Sequence, residues 1–518
     1  MAATSNVSSS MKHVAVTYPV LLVSLVSVLL VLSLVFNKFK RGLRNIPGPP
    51  LAAYTGLWRL CDVAKGQSHA TASQIHGKYG PVVRIGPNHV SIGNPAMIPI
   101  IYGIKESFTK TAFYPIQSMS WKKRPVLNLF STRDPEYNRI EKRKVGAAYS
   151  FPSLLQSEAA IDSCIDFFMD RLGDFASRGE SVDLGDWLEY FAFDIVGELT
   201  FASKMGFMEQ GKDLDAMMEG NKGFLAYAAV SGQIPAIHKA LLGNPLLARL
   251  MPSMETWNPV LLFTLKVING RAAAKRGGQQ TKAPVEAHDM LSRWEKVKSI
   301  DPLEMTLRDM VLHVSTNIFA GVDTTSIALR AIVYYLSRHP KCMDRLVTEI
   351  DTADKAGELS HPIKYKEATT VLPYLGAVIK EAMRLHPSVG MLLERHVPAE
   401  GLSIEGYEIP AGTIVGINPW VTNRSPAFGT DPDRFNPDRW LTADEEQLKH
   451  MDNLWEFTFG SGSRKCLGRN MAMIEIHKVI PELLRQYHVE LTHPEQDWSV
   501  SNYWFTFQKG LICNLERR

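Results

Sequence analysis

The stretch FTFGSGSRKCLGRN, residues 457–470, surrounds one cysteine, Cys466, with glycines and with the cations Arg464 and Lys465. The residues from the cysteine onward, CLGRNMAMIEIHKVIPELLRQY, have apolar side chains at helical spacing, so the sulfur would lie at a helix N-terminus. Helix-end amides and nearby cations both favour a thiolate. The glycines leave room beside the sulfur for a large, flat group. The alternative is a buried structural cysteine in a loop.

The composition argues against several classes of protein. The chain has 518 residues, a net charge of +4 and 21% charged residues, so nucleic acid is not an expected partner. Its five cysteines include no CxxC pair, which argues against a zinc site or a disulfide framework. No repeat or long Ser/Gly linker divides the chain, and the 45% hydrophobic content is enough for one large core.

The N-terminal region has the pattern of a membrane anchor. Residues 14–36 carry no charge and are long enough to cross a bilayer as one helix. Four cations follow within residues 37–44, against Lys12 before the run, so the larger part of the chain should face the cytosol. A cleaved signal peptide is the alternative, but the run is too long and lacks a cleavage site. We predict a short lumenal tail (1–13), an anchor helix (14–36), a basic and proline-rich linker (37–50) and one large domain (51–518).

The sequence pattern of the domain predicts mainly helices with small sheets. A helical pattern over residues 68–80 precedes two alternating runs, PVVRIG and NHVSIG, that predict a hairpin. Residues 153–335 are mostly helical in pattern, and strand signals return in residues 401–417 and in the last thirty residues. This order predicts a mainly α fold with small β-sheets, of the α+β type.

One predicted helix, over residues 306–339, carries an unusual polar cluster. It spans roughly 33 residues, or about 50 Å at 1.5 Å per residue. Gly321, Asp323, Thr324 and Thr325 are poor helix formers inside an otherwise apolar segment. One interpretation is a helix kink with satisfied polar groups. The other is a polar notch that moves protons in an apolar pocket.

A possible buried ion pair follows in PYLGAVIKEAMRLHP. Glu381 and Arg384 are three residues apart and share one helical face. An exposed pair of this kind contributes only about 0.3–0.5 kcal/mol, whereas a buried pair needs further partners. A candidate partner is Arg439 in the proline-rich loop DPDRFNPDRWL.

Together, these features resemble the cytochrome P-450 superfamily of haem-thiolate monooxygenases. AGVDTT matches the oxygen-activation motif of that family. LPYLGAVIKEAMRLHPSVGMLLERHVP and IPAGTIVGINPWV resemble its fungal pisatin-demethylase-like branch. FGSGSRKCLG matches the haem-binding signature at every defining position, namely Phe459, Gly462, Arg464, Cys466 and Gly468.

The resemblance implies a cofactor, haem b (iron protoporphyrin IX), with Cys466 as the axial ligand of its iron. Phe459 would pack on the proximal side of the haem, and Arg464 and Arg395 would pair with its propionates. The usual aromatic residue or histidine before a third cation is Asn138 here. The third cation is therefore either Lys142 or Arg143. Behind the haem, the expected structural network comprises Glu381, Arg384 and Arg439, with Asp438 in place of the family's usual glutamate.

The resemblance also implies the reaction. A hydrophobic small molecule would be hydroxylated or otherwise oxidised with dioxygen, with Thr324 bonding to the oxygen and Asp323 connecting it to a proton supply. We expect pocket walls in residues 113–121 and 223–245 and at Val389, Met391 and Leu392, although these apolar segments are equally typical of core. Two alternatives are a haem-thiolate enzyme that rearranges or dehydrates its substrate without dioxygen, and a non-catalytic haem sensor.

The expected partners follow from the same family. Electrons would come from NADPH through a separate cytochrome reductase, which would dock on Lys465 and the EKRKV segment unless these cations are simply solvated. A single-pass anchor in endoplasmic reticulum lipid would leave the catalytic domain in the cytosol. Secondary metabolite biosynthesis or detoxification is the expected setting.

Overall fold

Helices dominate the computed structural model, which describes residues 3–105, 107–121, 124–244, 259–276, 289–301 and 304–518. The predicted helix at residues 68–80 and the helical region 153–335 are confirmed where described. The helices of eight or more residues are Ala3–Lys38, Leu57–Ala64, Ser68–Tyr79, Pro135–Val145, Glu158–Arg178, Leu184–Phe201, Met217–Ser231, Pro259–Arg276, Met290–Ile300, Leu307–Arg338, Pro340–Lys355, Pro373–Leu385, Glu445–Trp455 and Arg469–Gln486.

The longest helix of the domain, Leu307–Arg338, is called the long helix below. Its start is fixed by a capping box in which Thr306 Oγ1 accepts from the Asp309 amide at 3.2 Å and Asp309 Oδ2 accepts from the Thr306 amide at 2.9 Å. The helix continues through residues 321–325 without a break. It packs mainly against the helix Leu184–Phe201 and against Pro259–Arg276. The long helix therefore crosses the domain core and carries the polar cluster in its middle.

A five-stranded sheet covers the N-terminal side of the domain. The predicted hairpin is present, with Val82–Gly86 antiparallel to His89–Ile92. The second hairpin strand pairs in parallel with Ile414–Ile417, and the order ends with Arg395–His396 and Thr109–Lys110. In this last pair, Lys110 lies directly opposite Arg395. The sheet thus brings two cations from distant parts of the sequence together.

Smaller sheets complete the α+β architecture. Tyr487–Leu491, Ile512–Arg517 and Val182–Asp183 form a three-stranded sheet. The hairpin Ser499–Tyr503 and Phe505–Lys509 turns at Trp504, whose φ of 85° is unusual for a bulky residue. The other two-stranded sheets are Met119–Trp121 with Arg124–Val126, and Leu402–Ile404 with Tyr407–Ile409. The predicted strands in residues 401–417 and near the C-terminus are confirmed.

The N-terminal helix Ala3–Lys38 extends beyond the predicted anchor at both ends. Its segment Leu21–Lys38 is long and apolar enough to cross a bilayer, and it is not buried against the rest of the chain. This exposed apolar surface is consistent with a membrane anchor.

Residues 37–50, the predicted basic and proline-rich linker, pack against the rest of the chain. Leu43 is fully buried and Ile46 nearly so, both within the main core. Arg84 donates to the carbonyl oxygens of Asn37 at 2.5 Å and Leu43 at 3.3 Å. These contacts join the segment to the sheet. A truncation that preserves these contacts removes only residues 1–36.

Candidate active site

The loop before Cys466 has a tightly fixed backbone. The Cys466 amide donates to the Phe459 carbonyl at 2.8 Å, and Gly460 and Gly462 have φ of 76° and 62°. A Cβ on Gly462 would lie 2.0 Å from the carbonyl oxygen of Tyr102, so only glycine fits there. The helix Arg469–Gln486 begins three residues after the cysteine. The predicted position of the sulfur beside a helix N-terminus is therefore present.

The surroundings of the sulfur have opposing effects on its acidity. Cys466 is accessible, although burial among protein atoms raises the pKa of its thiol. The amides of Gly468 and Arg469 lower this pKa, and so do the charges of Arg469 and Lys142. These two cations take the role that the sequence predicted for Arg464 and Lys465.

Arg464 and Lys465 point elsewhere. Arg464 donates to the carbonyl oxygens of Thr132 and Asp134, each at 3.3 Å. Lys465 pairs with Glu456 at 2.5 Å. The sequence placed these cations beside the cysteine correctly but could not give the direction of their side chains.

A small cavity beside the cysteine loop gathers basic side chains. Lys110, Arg395 and Arg464 all line it, together with serines of the loop. Arg395 is held in place by a hydrogen bond from Nη1 to the Tyr114 hydroxyl at 3.0 Å and lies 5.0 Å from the Tyr102 ring centroid. The two predicted arginines are thus brought together, and Lys110 is a third cation that sequence reasoning missed.

The structure also separates the two candidates for a further cation. Lys142 Nζ donates to the Ser463 carbonyl of the cysteine loop at 3.0 Å, whereas Arg143 is exposed. Lys142 is therefore the residue that faces the site. Because Gly468 has open space within 4 Å of an added Cβ among the described residues, nothing there blocks a flat group. An accessible sulfur, an open loop face and clustered cations fit a haem with its two carboxylates.

Glu381 forms the predicted buried network. Glu381 and Arg384 are both fully buried, and Arg384 donates to both carboxylate oxygens at 2.8 and 2.9 Å. Arg439 Nε adds a bond at 2.9 Å, and the Trp440 indole N–H adds one at 3.0 Å. Burial alone would raise the pKa of Glu381, but the bonds and charges of Arg384 and then Arg439 hold it below the usual value. Asp438 lies outside this network and pairs with Arg345.

Asp323 is equally buried but has no such partners. It is fully buried, and neither carboxylate oxygen has a hydrogen-bond partner among the described residues. Burial, followed by the charge of Glu189, raises the pKa of Asp323 to about 8, against the smaller effects of Lys222 and Arg330. The satisfied kink considered from the sequence is therefore not what the structure contains.

The neighbouring Thr324 is tied to its own helix and to the segment after Arg384. Its hydroxyl donates to the Ala320 carbonyl at 2.8 Å, and its carbonyl accepts from Ser388 Oγ at 2.8 Å. The hydroxyl is partly accessible, because Thr324 is only half-buried. Asp323 and Thr324 thus place a neutral acid and an accessible hydroxyl on adjacent positions.

A charged cluster that the sequence did not predict acts on Asp323 through its electric field. Glu189 is buried and pairs with Arg330 at 2.6 Å and with Lys222 at 3.0 Å. The Lys222 side chain is 31% exposed, so it reaches solvent. Arg330 is seven residues after Asp323 and lies on the same helical face. This spacing was the one feature of the sequence that could have indicated the cluster.

Comparisons with known proteins agree with this geometry. The family model for cytochrome P450 matches residues 46–511. The chain is 37% identical over 505 residues to cytochrome P450 monooxygenase cicH of Emericella nidulans, covering 96% of this chain and 98% of the relative. The chain belongs to the cytochrome P450 family.

Two further P450 relatives are similar over most of their length. A cytochrome P450 monooxygenase of Aspergillus terreus is 36% identical over 479 residues, covering 91% of this chain and 95% of the relative. Cytochrome P450 monooxygenase pkfB of Emericella nidulans is 35% identical over 480 residues, covering 92% of each chain. The predicted superfamily is confirmed. The protein is accordingly an oxygen-incorporating oxidoreductase with a haem iron cofactor and electrons supplied by a reductase.

A second cavity of this P450 lies among the predicted pocket walls and is called the second cavity below. Phe113, Met391 and Leu392 line it as expected, and Gln233 comes from the second predicted segment. Val389 instead packs in a neighbouring apolar cluster beside Trp504 and Phe505. The last residue of the second predicted segment, at position 245, lies outside the described residues.

Proposed function

We propose that the protein is a membrane-anchored haem-thiolate monooxygenase that oxidises a hydrophobic small molecule with dioxygen. The observation that carries this proposal is Asp323, a fully buried acid with no partner among the described residues, next to the accessible hydroxyl of Thr324. Rearrangement or dehydration without dioxygen has little need for a proton-holding acid at this position. A non-catalytic sensor has no need for one either.

The haem would be held by a cysteine at its iron and by cations at its propionates. Cys466 would be the axial ligand, and the amides of Gly468 and Arg469 would stabilise its thiolate. Arg395, Arg464 and Lys142 would face the propionates, with Lys110 as an additional cation. Bound haem supplies the activation of dioxygen, which a thiolate ligand favours by donating electron density.

The polar notch would supply protons. With a pKa of about 8, Asp323 carries a proton at neutral pH and can donate it from its carboxyl oxygen. The Thr324 hydroxyl can turn from the Ala320 carbonyl towards the distal side and pass that proton on. Glu189 and the partly exposed Lys222 would then return a proton from solvent to Asp323.

Partner and location form the finer part of the proposal. The exposed helix Leu21–Lys38 supports an anchor in the endoplasmic reticulum membrane, with the domain in the cytosol. Lys465 and the exposed Arg143 of the EKRKV segment would bind an acidic face of an NADPH–cytochrome reductase. The relatives from Emericella and Aspergillus support a role in fungal secondary metabolism over detoxification.

The test begins with metabolites that accumulate in producing cells when the gene is deleted. Each accumulated compound is given to the full-length protein with a reductase, NADPH and isotopically labelled dioxygen. We expect one labelled oxygen atom in the product. Product formation without dioxygen would support rearrangement or dehydration, and an unchanged metabolite profile would support a sensor.

Cys466 is tested by absorption of the reduced carbon-monoxide complex. The thiolate-shifted band should disappear in Cys466→Ala, while Cys342→Ala, at a cysteine in another part of the fold, should keep it. A retained band in Cys466→Ala would overturn the assignment of the ligand.

A further inference from the structure

A buried polar cluster contributes Arg59, Gln233 and Glu394 to the lining of the second cavity. Arg59 forms an ion pair with Glu394, and Arg59 Nη2 donates to Gln233 Oε1 at 2.7 Å. Thr111 Oγ1 donates to the other carboxylate oxygen of Glu394 at 2.8 Å. These four residues, called the Arg59 cluster, come from four segments that are far apart in the sequence. The fold therefore assembles them at one place.

The burial of this ion pair is not explained by stability. Arg59 is 5% exposed and Glu394 is 4% exposed. A buried ion pair is often no more stabilising than apolar side chains of similar volume. Both residues line the second cavity, whose other lining includes Phe113 and Met391. Polar groups placed beside apolar side chains in a cavity are typical of sites that orient a ligand.

The hydrogen bonds of the cluster leave Arg59 Nη1 without an acceptor among the described residues. Both oxygens of Glu394 accept bonds, and Gln233 Nε2 donates to the Ala229 carbonyl at 2.8 Å. Arg59 Nη1 is buried and has no hydrogen-bond partner among the described residues. A buried N–H without an acceptor is destabilising. An acceptor oxygen bound in the cavity beside Arg59 would satisfy this group.

Charge and shape restrict the ligand further. Glu394 balances the charge of Arg59, and a second carboxylate, Asp62, also lines the cavity. A ligand carboxylate would face two negative side chains, whereas a neutral oxygen would not. Trp58 and Phe113 provide aromatic surface on the same cavity, which suits a flat ring system.

We propose that Arg59 orients the substrate by donating a hydrogen bond from Nη1 to a neutral carbonyl or hydroxyl oxygen of an aromatic molecule. The ring system lies against the apolar side chains of the cavity. This inference rests on the proposed function, because it names the substrate class for the same site. Arg59 is a specificity-determining residue, and Glu394, Gln233 and Thr111 hold its guanidinium in place.

Three probes with one ring system test the proposal, namely acetylnaphthalene, naphthalene and naphthoate. Their binding to the full-length haem protein is measured by calorimetry. The wild type is expected to bind acetylnaphthalene about tenfold more tightly than naphthalene, in line with a hydrogen bond from a charged donor. Naphthoate is expected to bind no more tightly than naphthalene.

Two variants distinguish the loss of the hydrogen-bond donor from a loss of folding. Arg59→Lys keeps a charge opposite Glu394 but lacks the guanidinium fork, so the preference for the ketone should fall to about twofold or less. The neutral double variant Arg59→Met with Glu394→Gln should show the same loss without leaving a buried charge unpaired. Arg139→Lys, at an exposed arginine, is the matched control and should keep the preference.

A wild type that binds acetylnaphthalene no better than naphthalene would overturn the proposal. A ketone preference that survives in both Arg59 variants would also overturn it, and so would tightest binding of naphthoate. Failure of the proposed function is distinguishable. It would appear as absence of dioxygen-dependent turnover in a wild type whose ketone preference is intact.

Discussion

Glu381 and Asp323 are two carboxyl groups at the same depth in the protein with opposite surroundings. Both are fully buried. Glu381 accepts hydrogen bonds from Arg384, Arg439 and Trp440, and its pKa is lowered despite burial. Asp323 has no hydrogen-bond partner among the described residues, and its pKa is raised to about 8.

The difference in surroundings distinguishes a structural role for Glu381 from a chemical role for Asp323. A carboxylate removed from water must be compensated by partners or must stay protonated. Glu381 is compensated and fixed, so it joins the helix Pro373–Leu385 to the loop around Arg439. Asp323 is left uncompensated, so it holds a proton at neutral pH that can be given away.

Removal of the compensated charge should have the largest effect. Glu381→Gln leaves Arg384 and Arg439 buried without their counter-charge, and we expect a loss of about 3–5 kcal/mol in the free energy of unfolding. Denaturant unfolding and haem content measure this. The control is Glu136→Gln in the exposed pair with Arg139, where little change in the free energy of unfolding is expected. Equal free energies of unfolding for the two variants would contradict the structural role of Glu381.

Removal of the uncompensated acid should affect turnover instead. Asp323→Asn keeps the shape but cannot donate the carboxyl proton, so product formation should fall about a hundredfold. Folding and haem content should stay at least at wild-type levels. The rate of product formation with reductase and NADPH is the measurement. Unchanged turnover would show that protons reach the site by another route.

The pH dependence of stability should distinguish the same two groups. Between about pH 4 and pH 8, folded Asp323 keeps a proton that the unfolded chain has lost, so the free energy of unfolding falls as pH rises. The slope from this group is about 1.4 kcal/mol per pH unit. Asp323→Asn lacks it, so unfolding of the two proteins at several pH values isolates the effect. Parallel curves would mean that Asp323 is ionised throughout.

The smallest effect is expected at Thr324. Thr324→Ala removes one hydroxyl from a half-buried position, so haem and substrate binding should change little. Product formed per NADPH should fall severalfold, with the missing oxygen recovered as hydrogen peroxide. Thr370→Ala, whose exposed hydroxyl also bonds back to its own helix, is the matched control. A wild-type ratio in Thr324→Ala would make this threonine a packing residue.

Local patterns predicted much of the fold and part of the site. The hairpin at residues 81–93 and the long helix follow from alternation, capping and helical spacing, which act within a few residues. Motif spacing also indicated Cys466 and the network of Glu381 with Arg439. These features depend on short stretches whose side chains have one plausible arrangement.

The features that the sequence did not predict depend on contacts between distant segments. Lys110 faces the cations of the cysteine loop because its strand pairs with Arg395–His396. Glu189 meets Arg330 across 141 positions, and Arg59 meets Glu394 across 335. The burial of Leu43 likewise depends on packing against the core. Neither periodicity nor composition encodes such pairs.

Infrared spectroscopy of the carboxyl groups tests the central contrast most directly. The difference between wild type and Asp323→Asn at pH 7 should contain the carbonyl stretch of a protonated carboxylic acid, which should disappear as the pH is raised above about 8. That result would establish Asp323 as the acid that holds a proton. A difference spectrum with only an ionised carboxylate at pH 7 would contradict the account.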